Sequence, residues 1–464
     1  MTKGKTAAII LAAGKGTRMK SDLPKVLHPL AGQPMVRHVL GAVAPLEPKP
    51  AVVIVGPKME AVAEAVSPYP TAVQKKQAGT ADAVKAAQKA LKGFEDGTVL
   101  VLYGGDPFVR TETLKQMVRA REAGTAVVVL GFRAADPSGY GRLVVDGAGV
   151  LQAIVEDKDA SDNERAIDLC NGGAMAIDAA RLFDLVDRVG DDNAKREFYL
   201  TDVVALARAG GLACAVVEAD QRETLGVDSR ADLARAEAEW QRARRLRAME
   251  EEGASLADPN TVWFSHDTTL GRDVVVGPNV VFGPGVSVSD GVEIKAFCHL
   301  EGASVGKGAV VGPFARLRPG TEIGSGAHIG NFVEVKNAIM GEGAKANHLT
   351  YLGDSEIGAG ANIGAGTITC NYDGFEKHRT VIGKGAFIGS NTALVAPVKI
   401  GDGAIVGAGS TIARDVAKDA LAIERAVQVD LPGRARKIRA EGEARKEGKK
   451  AGKKGKASRK GKKS

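Results

Sequence analysis

The chain has 464 residues, 44% hydrophobic and 26% charged, enough for two to four domains of ~100–200 residues with cores that need no disulfide or metal to hold them. Its 58 Gly and an aromatic share of only 4% point to a fold rich in turns. The net charge of +7 is uneven: residues 433–464 carry 15 Lys and Arg against three Glu, a local +12 that leaves −5 elsewhere, which excludes a uniformly basic nucleic-acid-binding body.

Cys170, Cys214, Cys298 and Cys370 are far apart, with no CxxC pair, and no two of the seven His are four residues apart. That pattern predicts reduced thiols, a cytoplasmic setting and no structural zinc. The first apolar run, Ala7 to Ala13, passes into a Gly/Lys loop instead of a cleavage site, and no run approaches the ~20 residues of a transmembrane segment.

From Thr6 to about Ser229, short Val/Ile/Leu runs alternate with longer Ala-rich, charged stretches, predicting an α/β domain (1–229) with a mostly parallel, Rossmann-like sheet and ligands at the strand ends. Residues 230–253 have no Pro and follow the capping-box-like Ser229-x-x-Asp232, so they read as one long linker helix. Beyond them small aliphatic residues recur every six positions: Val305, Val311, Leu317, Ile323, Ile329, Val335, and again Ile382, Ile388, Leu394, Ile400, Val406, Ile412. A period of six is neither helical nor that of an ordinary strand, and it predicts a hexapeptide parallel β-helix over 254–430. The span from Val262 to Ile423 allows at most nine coils of three hexads, roughly 43 Å at ~4.8 Å per rung. Phase breaks near Met340 to Glu356 and at Asn371 to Arg379 predict loops leaving the prism. The Lys/Gly-rich remainder, 431–464, lacks apolar periodicity and is expected to be disordered.

Two places carry chemistry. The string Leu11-Ala12-Ala13-Gly14-Lys15-Gly16-Thr17-Arg18-Met19, followed by Leu23-Pro24-Lys25, ends the first strand in a glycine loop with cations beside it. Exposed backbone N–H groups there suit phosphates, and Arg18 and Lys25 suit charge building on a phosphoryl group, although the spacing fits neither a Walker A nor a GxGxxG loop. In the hexapeptide half, Arg318 and Lys336 suit a sugar phosphate, and Glu334 and Tyr351 suit hydroxyls or an amine. His348 lies beside them. An amine must shed a proton before it attacks a thioester, and an imidazole of pKa ~6.5 is matched to taking it at neutral pH.

The complete LAAGKGTRM string with LPK resembles the signature of sugar-nucleotide pyrophosphorylases. With the hexapeptide half, VQ(x)4GT, SGYGR, IVEDKDA, CNGG and FYLTD in order, the chain resembles the bacterial bifunctional N-acetylglucosamine-1-phosphate uridylyltransferase/glucosamine-1-phosphate acetyltransferase family. The resemblance implies acetylation of glucosamine 1-phosphate by acetyl-CoA, then uridylyl transfer from UTP to give UDP-N-acetylglucosamine and pyrophosphate for cell-wall precursors. It implies a left-handed β-helix, a homotrimer and Mg²⁺ at the first site. By family role, Leu11, Ala12, Ala13, Gly14, Lys25, Gln74, Gly79 and Thr80 hold nucleotide, and Tyr103, Gly104, Gly141, Glu156, Asn171 and Asp228 complete the uridine and sugar side. Arg318, Glu334, Lys336, Tyr351 and Asn362 take glucosamine phosphate, His348 is the base, and Ala365, Asn371, Tyr372, Ser390, Ala408 and Arg425 hold acetyl-CoA.

One departure concerns the metal. The family reads YGDVP where this chain reads Tyr103-Gly104-Gly105-Asp106-Pro107, and its second ligand, Asn in GVN, is here Asp228. Slipping one residue along a regular strand turns a side chain to the other face, while Gly104-Gly105 would let the turn rearrange and return Asp106 to the metal. The sequence leaves both courses open, and by family role Asp106 and Asp228 are the expected ligands. The alternative is a chain that transfers acetyl groups only, its first domain binding nucleotide sugar with weak activity. No nucleic-acid partner is required by either reading.

Overall fold

The computed structural model describes residues 5–193 and 195–460; the last four residues of the basic tail lie outside them. Nine strands form the first sheet: β1 (Thr6–Leu11), β2 (Ala51–Val55), β3 (Thr71–Val73), β4 (Thr98–Tyr103), β5 (Val127–Arg133), β6 (Arg142–Val145), β7 (Leu151–Val155), β8 (Leu169–Asp178) and β9 (Cys214–Glu218). Their order is β9-β5-β8-β4-β1-β2-β3, with β6 and β7 joined to β8 at the side. All neighbours on this path are parallel except β8, which runs antiparallel to β4 and β5. The near-continuous apolar runs of β1, β2 and β4 are explained by burial on both faces, where two separate cores pack against them. The carboxyl ends of β1 and β4 thus open side by side.

Helix Arg230–Glu250 follows, opened by the capping box in which Ser229 and Asp232 satisfy each other's backbone N–H groups. Its joint with the second half is polar and buried. Gln241, 1% exposed, donates to the Phe264 carbonyl at 2.7 Å and accepts from the Phe264 N–H at 2.9 Å. Ser265 and His266 add bonds to the Ala31 carbonyl, so the first domain is docked on the base of the second.

The second half is a parallel β-helix of left-handed hexapeptide type. One face is a ladder of ten short strands from Ser255–Leu256 to Leu421–Ala422, every neighbouring pair parallel. The ladder therefore has ten rungs where the periodicity predicted at most nine coils, because the first strand precedes Val262 and breaks the hexad spacing. Inside, Val, Ile, Leu and Ala from every coil form one continuous core. At one corner Phe297, Phe314 and Phe332 adopt φ of 61°, 57° and 58° and stack at 4.8 and 5.3 Å, half-exposed.

Two expectations are corrected. No loop leaves the prism between Met340 and Glu356: Lys345–His348 and Tyr351–Ile357 are strands in register with their neighbours, and the phase shift arises because Leu349, at φ 50°, turns the corner in a shortened coil. His348 is thus on a strand. Residues 371–379 do leave, with Tyr372 and Lys377 bridged across the excursion. The tail, expected to be disordered, carries a helix over Arg434–Lys460, since Ala, Arg, Lys and Glu all favour helix; from 434 to 449 it is exposed almost throughout.

Replacing Gln241 by Met leaves the Phe264 N–H and carbonyl buried without partners, a loss of about 2–3 kcal/mol. Thermal unfolding followed by circular dichroism should show a lower midpoint for Gln241→Met, with the secondary structure at 20 °C unchanged.

Candidate active sites

The first site is built where β1 and β4 end. Leu11, Ala12 and Ala13 are buried, and the chain then turns through Gly14-Lys15-Gly16 into a single turn of 3-10 helix, Thr17–Met19. Gly16 has φ +61°, and a Cβ there would lie 2.5 Å from Lys25 Cβ; the close approach of loop and Lys25 requires glycine. Lys25 Nζ donates to Asp228 Oδ1 at 2.8 Å, and Arg18 lies 3.0 Å from Asp228 Oδ2. One carboxylate therefore gathers both predicted cations.

Asp106 lies just past the end of β4. Strand β4 stops at Tyr103, a turn closed by Asp106 N–H on the Tyr103 carbonyl follows, and the Gly105 carbonyl accepts from Val227 N–H at 3.0 Å. This geometry carries the Asp106 carboxylate between Gly173 and Gly226, where Cβ atoms would lie 3.2 and 3.1 Å from its oxygens, instead of to the opposite face. Its pKa is pushed up to about 7, by burial first and then by Asp228, with Lys25 opposing. Among the described residues, no hydrogen bond reaches the Asp106 carboxylate. Gly105 leaves a space of its own: a Cβ there would sit 2.8 Å from Lys25 Nζ.

A cavity of about 420 Å³ is lined by Leu11, Ala12, Ala13, Gly14, Lys25, Gln74, Gly79, Thr80 and Tyr103, which brings nine predicted residues together. Gln74 Nε2 bonds the Gly79 carbonyl and Asp82, and Thr80 Oγ1 accepts from Leu200 N–H, so the far wall is fixed. Gly104 lies beneath, its N–H on the Leu11 carbonyl. The predicted sugar-side residues form an adjoining patch: Asn171 N–H bonds the Gly141 carbonyl, and Glu156 accepts from Thr201. Burial, ahead of any charge, raises the Glu156 pKa. Sequence reasoning missed Lys76, Gln77 and Glu197, which also line the cavity; Gln77 reaches back to the Ala13 carbonyl. No spacing signal marks them, because the 74–80 and 193–200 segments meet only in the fold.

The second site lies on the β-helix. Ladder register sets Asn331 beside His348 and Glu334 beside Tyr351. His348 Nδ1 is 2.7 Å from Asn331 Oδ1; that oxygen accepts, so in the neutral ring this contact selects the tautomer with the proton on Nδ1 and the lone pair on Nε2. Arg318 bonds Glu334 at 2.8 Å. Lys336 has its pKa lowered chiefly by Lys377, whose ammonium faces it from the 371–379 excursion. Asn331 and Lys377 are the residues sequence reasoning left without a role; a second lysine across a loop has no periodic signature.

The remaining predicted residues form a column along the prism. Asn391 N–H bonds the Ala365 carbonyl, Gly409 N–H bonds the Ser390 carbonyl, and Arg425 Nη1 donates to the Ala408 carbonyl at 2.7 Å. Asn371 bonds Asp354, and exposed Tyr372 bonds the Gly374 carbonyl. Asn362 sits on the ladder between Lys345 and Phe387, and no hydrogen bond joins it to the Arg318–Glu334 pair.

A nucleotidyltransferase-like cavity joined to a hexapeptide transferase prism defines the class. The MobA-like NTP transferase domain family matches residues 8–256, and the bacterial transferase hexapeptide family matches 302–337 and 379–414. The chain is 63% identical over 438 residues to the bifunctional protein GlmU of Rhodospirillum rubrum, covering 94% of this chain and 98% of that one. It is 58% identical over 448 residues to that of Paramagnetospirillum magneticum (96% and 99%) and 58% over 430 residues to that of Sphingopyxis alaskensis (92% and 95%). The chain belongs to the bifunctional GlmU family, an enzyme with uridylyltransferase and acetyltransferase activities; the acetyl-transfer-only alternative is not favoured.

Removing the charge of Asp228 should bring the Asp106 carboxyl below about 7, because Asp228 is one of the two causes raising it and Lys25 is then free to lower it further. Carboxyl-carbon NMR titration of Asp228→Asn against the parent checks this.

Proposed function

We propose that the two clusters are the two active sites and work in sequence, acetylating glucosamine 1-phosphate with acetyl-CoA and then joining the product to the uridylyl group of UTP. The observation that carries the reading is the convergence of Lys25 and Arg18 on Asp228 beside the Asp106 turn, at the mouth of the glycine-loop cavity. Lys25 and Arg18 meet charge on the reacting phosphate, and the backbone of 11–14 positions the nucleotide. Gln74, Gly79 and Thr80 hold the base, with Tyr103, Gly104, Gly141, Glu156 and Asn171 on the uridine and sugar side.

Mg²⁺ fits the carboxylates. Two oxygen-donor side chains within electrostatic reach of each other, one of them free of hydrogen bonds, suit a hard cation that keeps its remaining positions for water and substrate phosphate. Asp106 and Asp228 would hold it, and when bound it would neutralise triphosphate charge. The displaced aspartate is thus compatible with a working first site.

At the second site His348 Nε2 takes the proton from the substrate amine while Asn331 holds the ring. Lys336, Lys377 and Arg318 form a cationic pocket for the sugar phosphate, with Glu334, Tyr351 and Asn362 toward the sugar. The column of Ala365, Ser390, Ala408 and Arg425, with Asn371 and Tyr372, runs along the prism as an elongated acetyl-CoA would lie. The half-exposed stack of Phe297, Phe314 and Phe332 supports a homotrimer of prisms, since an aromatic stripe on a rigid edge is well suited to burial by another copy. The working units are 1–229, 230–253 and 254–430, and the setting is cytoplasmic; no helix among the described residues is long and apolar enough to cross a membrane.

His348→Ala should lower acetyl transfer by ~10²–10⁴-fold with uridylyl transfer unchanged; equal loss of both would point to misfolding and remove the assignment. Lys25→Ala should damage pyrophosphate release from UTP and N-acetylglucosamine 1-phosphate alone. That release should require Mg²⁺. Because a proton competes for Asp106 below about pH 7, Mg²⁺ affinity measured by calorimetry should fall by up to about tenfold per pH unit there. An affinity flat from pH 5 to 8 would remove Asp106 from the ligand set.

A further inference from the structure

Away from both sites, a cavity of about 260 Å³ lies where the segment after β4, the turn at Gln221–Thr224 and the linker helix meet. Five arginines line it against two glutamates, Glu223 and Glu239. Three of the arginines have a close carboxylate partner and ample exposure: Arg222 on Asp220 at 2.6 Å, Arg242 on Glu239 at 2.6 Å and Arg247 on Glu252 at 3.1 Å.

Arg110, with its side chain 64% exposed, and the buried Arg244 leave donors without a protein acceptor among the described residues. Among the described residues the one carboxylate within 4 Å of the Arg110 guanidinium is Glu223, at 3.7 Å, which is beyond hydrogen-bond distance, while Glu223 Oε2 is taken by the Thr113 hydroxyl at 2.6 Å and the Arg110 backbone N–H. Arg244, 6% exposed, spends Nη2 on Glu252 and the Thr268 carbonyl and lies over the Phe264 ring at 4.7 Å, while its buried Nη1 has no hydrogen-bond partner among the described residues. A forked donor set around a cavity suits the oxygens of phosphate, and Phe108 and Trp240 supply an apolar wall beside it.

We propose that this cleft is an effector site for a small organic phosphate, its phosphate held by Arg110 and Arg247 over Arg244, and its apolar part against Phe108 and Trp240. Occupancy is coupled to the first active site by short covalent paths. Phe108 is two residues beyond Asp106, Glu223 is five before Asp228, and Trp240 belongs to the linker helix that starts beside Asp228. A ligand drawing these three segments together alters how the two carboxylates face each other without touching substrate.

Calorimetric titration of the full-length chain with phenyl phosphate and inorganic phosphate tests the assignment. Lys25→Ala, which weakens phosphate binding in the active site, should retain a phenyl phosphate site. Arg110→Ala/Arg247→Ala should lose it by about tenfold or more, as expected for deleting charged hydrogen bonds. Phenyl phosphate should bind more tightly than inorganic phosphate, and affinity should fall as NaCl rises from 0.05 to 0.5 M by about fivefold. Arg110→Lys, which keeps the charge and exposes no new surface, should retain part of the binding and guards against a folding artefact. Loss of all binding in Lys25→Ala, or undiminished binding in Arg110→Ala/Arg247→Ala, would overturn the proposal.

Discussion

Asp228 is the constraint on which the first half of the molecule depends. Its carboxylate accepts Lys25 at 2.8 Å and meets Arg18 at 3.0 Å, across some two hundred residues of sequence, while its backbone N–H joins the capping network that begins the linker helix. A single side chain therefore fixes the glycine loop, the start of the helix and the charge balance of the site. Lys25 and Arg18 would repel each other unpaired at this distance, and Asp106 would ionise more readily without Asp228. The pairs are partly exposed, so their contribution to folding is modest. What they secure is the placement of charge.

The second half is held by repetition instead of by one contact. Each coil repeats the backbone bonds of the one before, and small aliphatic residues stack in one continuous apolar ladder inside. Such a scaffold needs no local device to present Asn331 against His348 or Arg318 against Glu334, since strand register alone does so. The first site is assembled from distant loops and the second from adjacent rungs, which is why the first relies on ion pairs and turns.

That contrast also explains what could be read in the sequence. Residues on the hexad ladder, and those in contiguous motifs such as Leu11 to Gly14, were legible because local order equals spatial order there. Lys377 beside Lys336 and Gln77 beneath Ala13 were not, because both contacts cross excursions whose course depends on the surrounding packing. The break near His348 was misread as a loop because a coil shortened at Leu349 shifts the phase of the pattern without leaving the prism. The tail was misread because absence of an apolar stripe rules out packing, whereas helix formation draws on backbone propensity alone.

Gly105 constrains how this site can change. A Cβ there would stand against the Lys25 ammonium, while the neighbouring Asp106 already places its carboxylate in the shared pocket. Moving the aspartate back by one residue through single substitutions passes either through a chain with one acid fewer or through one with adjacent aspartates competing for Lys25. Gly105 and Asp106 therefore work as a pair: the glycine keeps the space beside Lys25 Nζ open, and the acid comes from the next position.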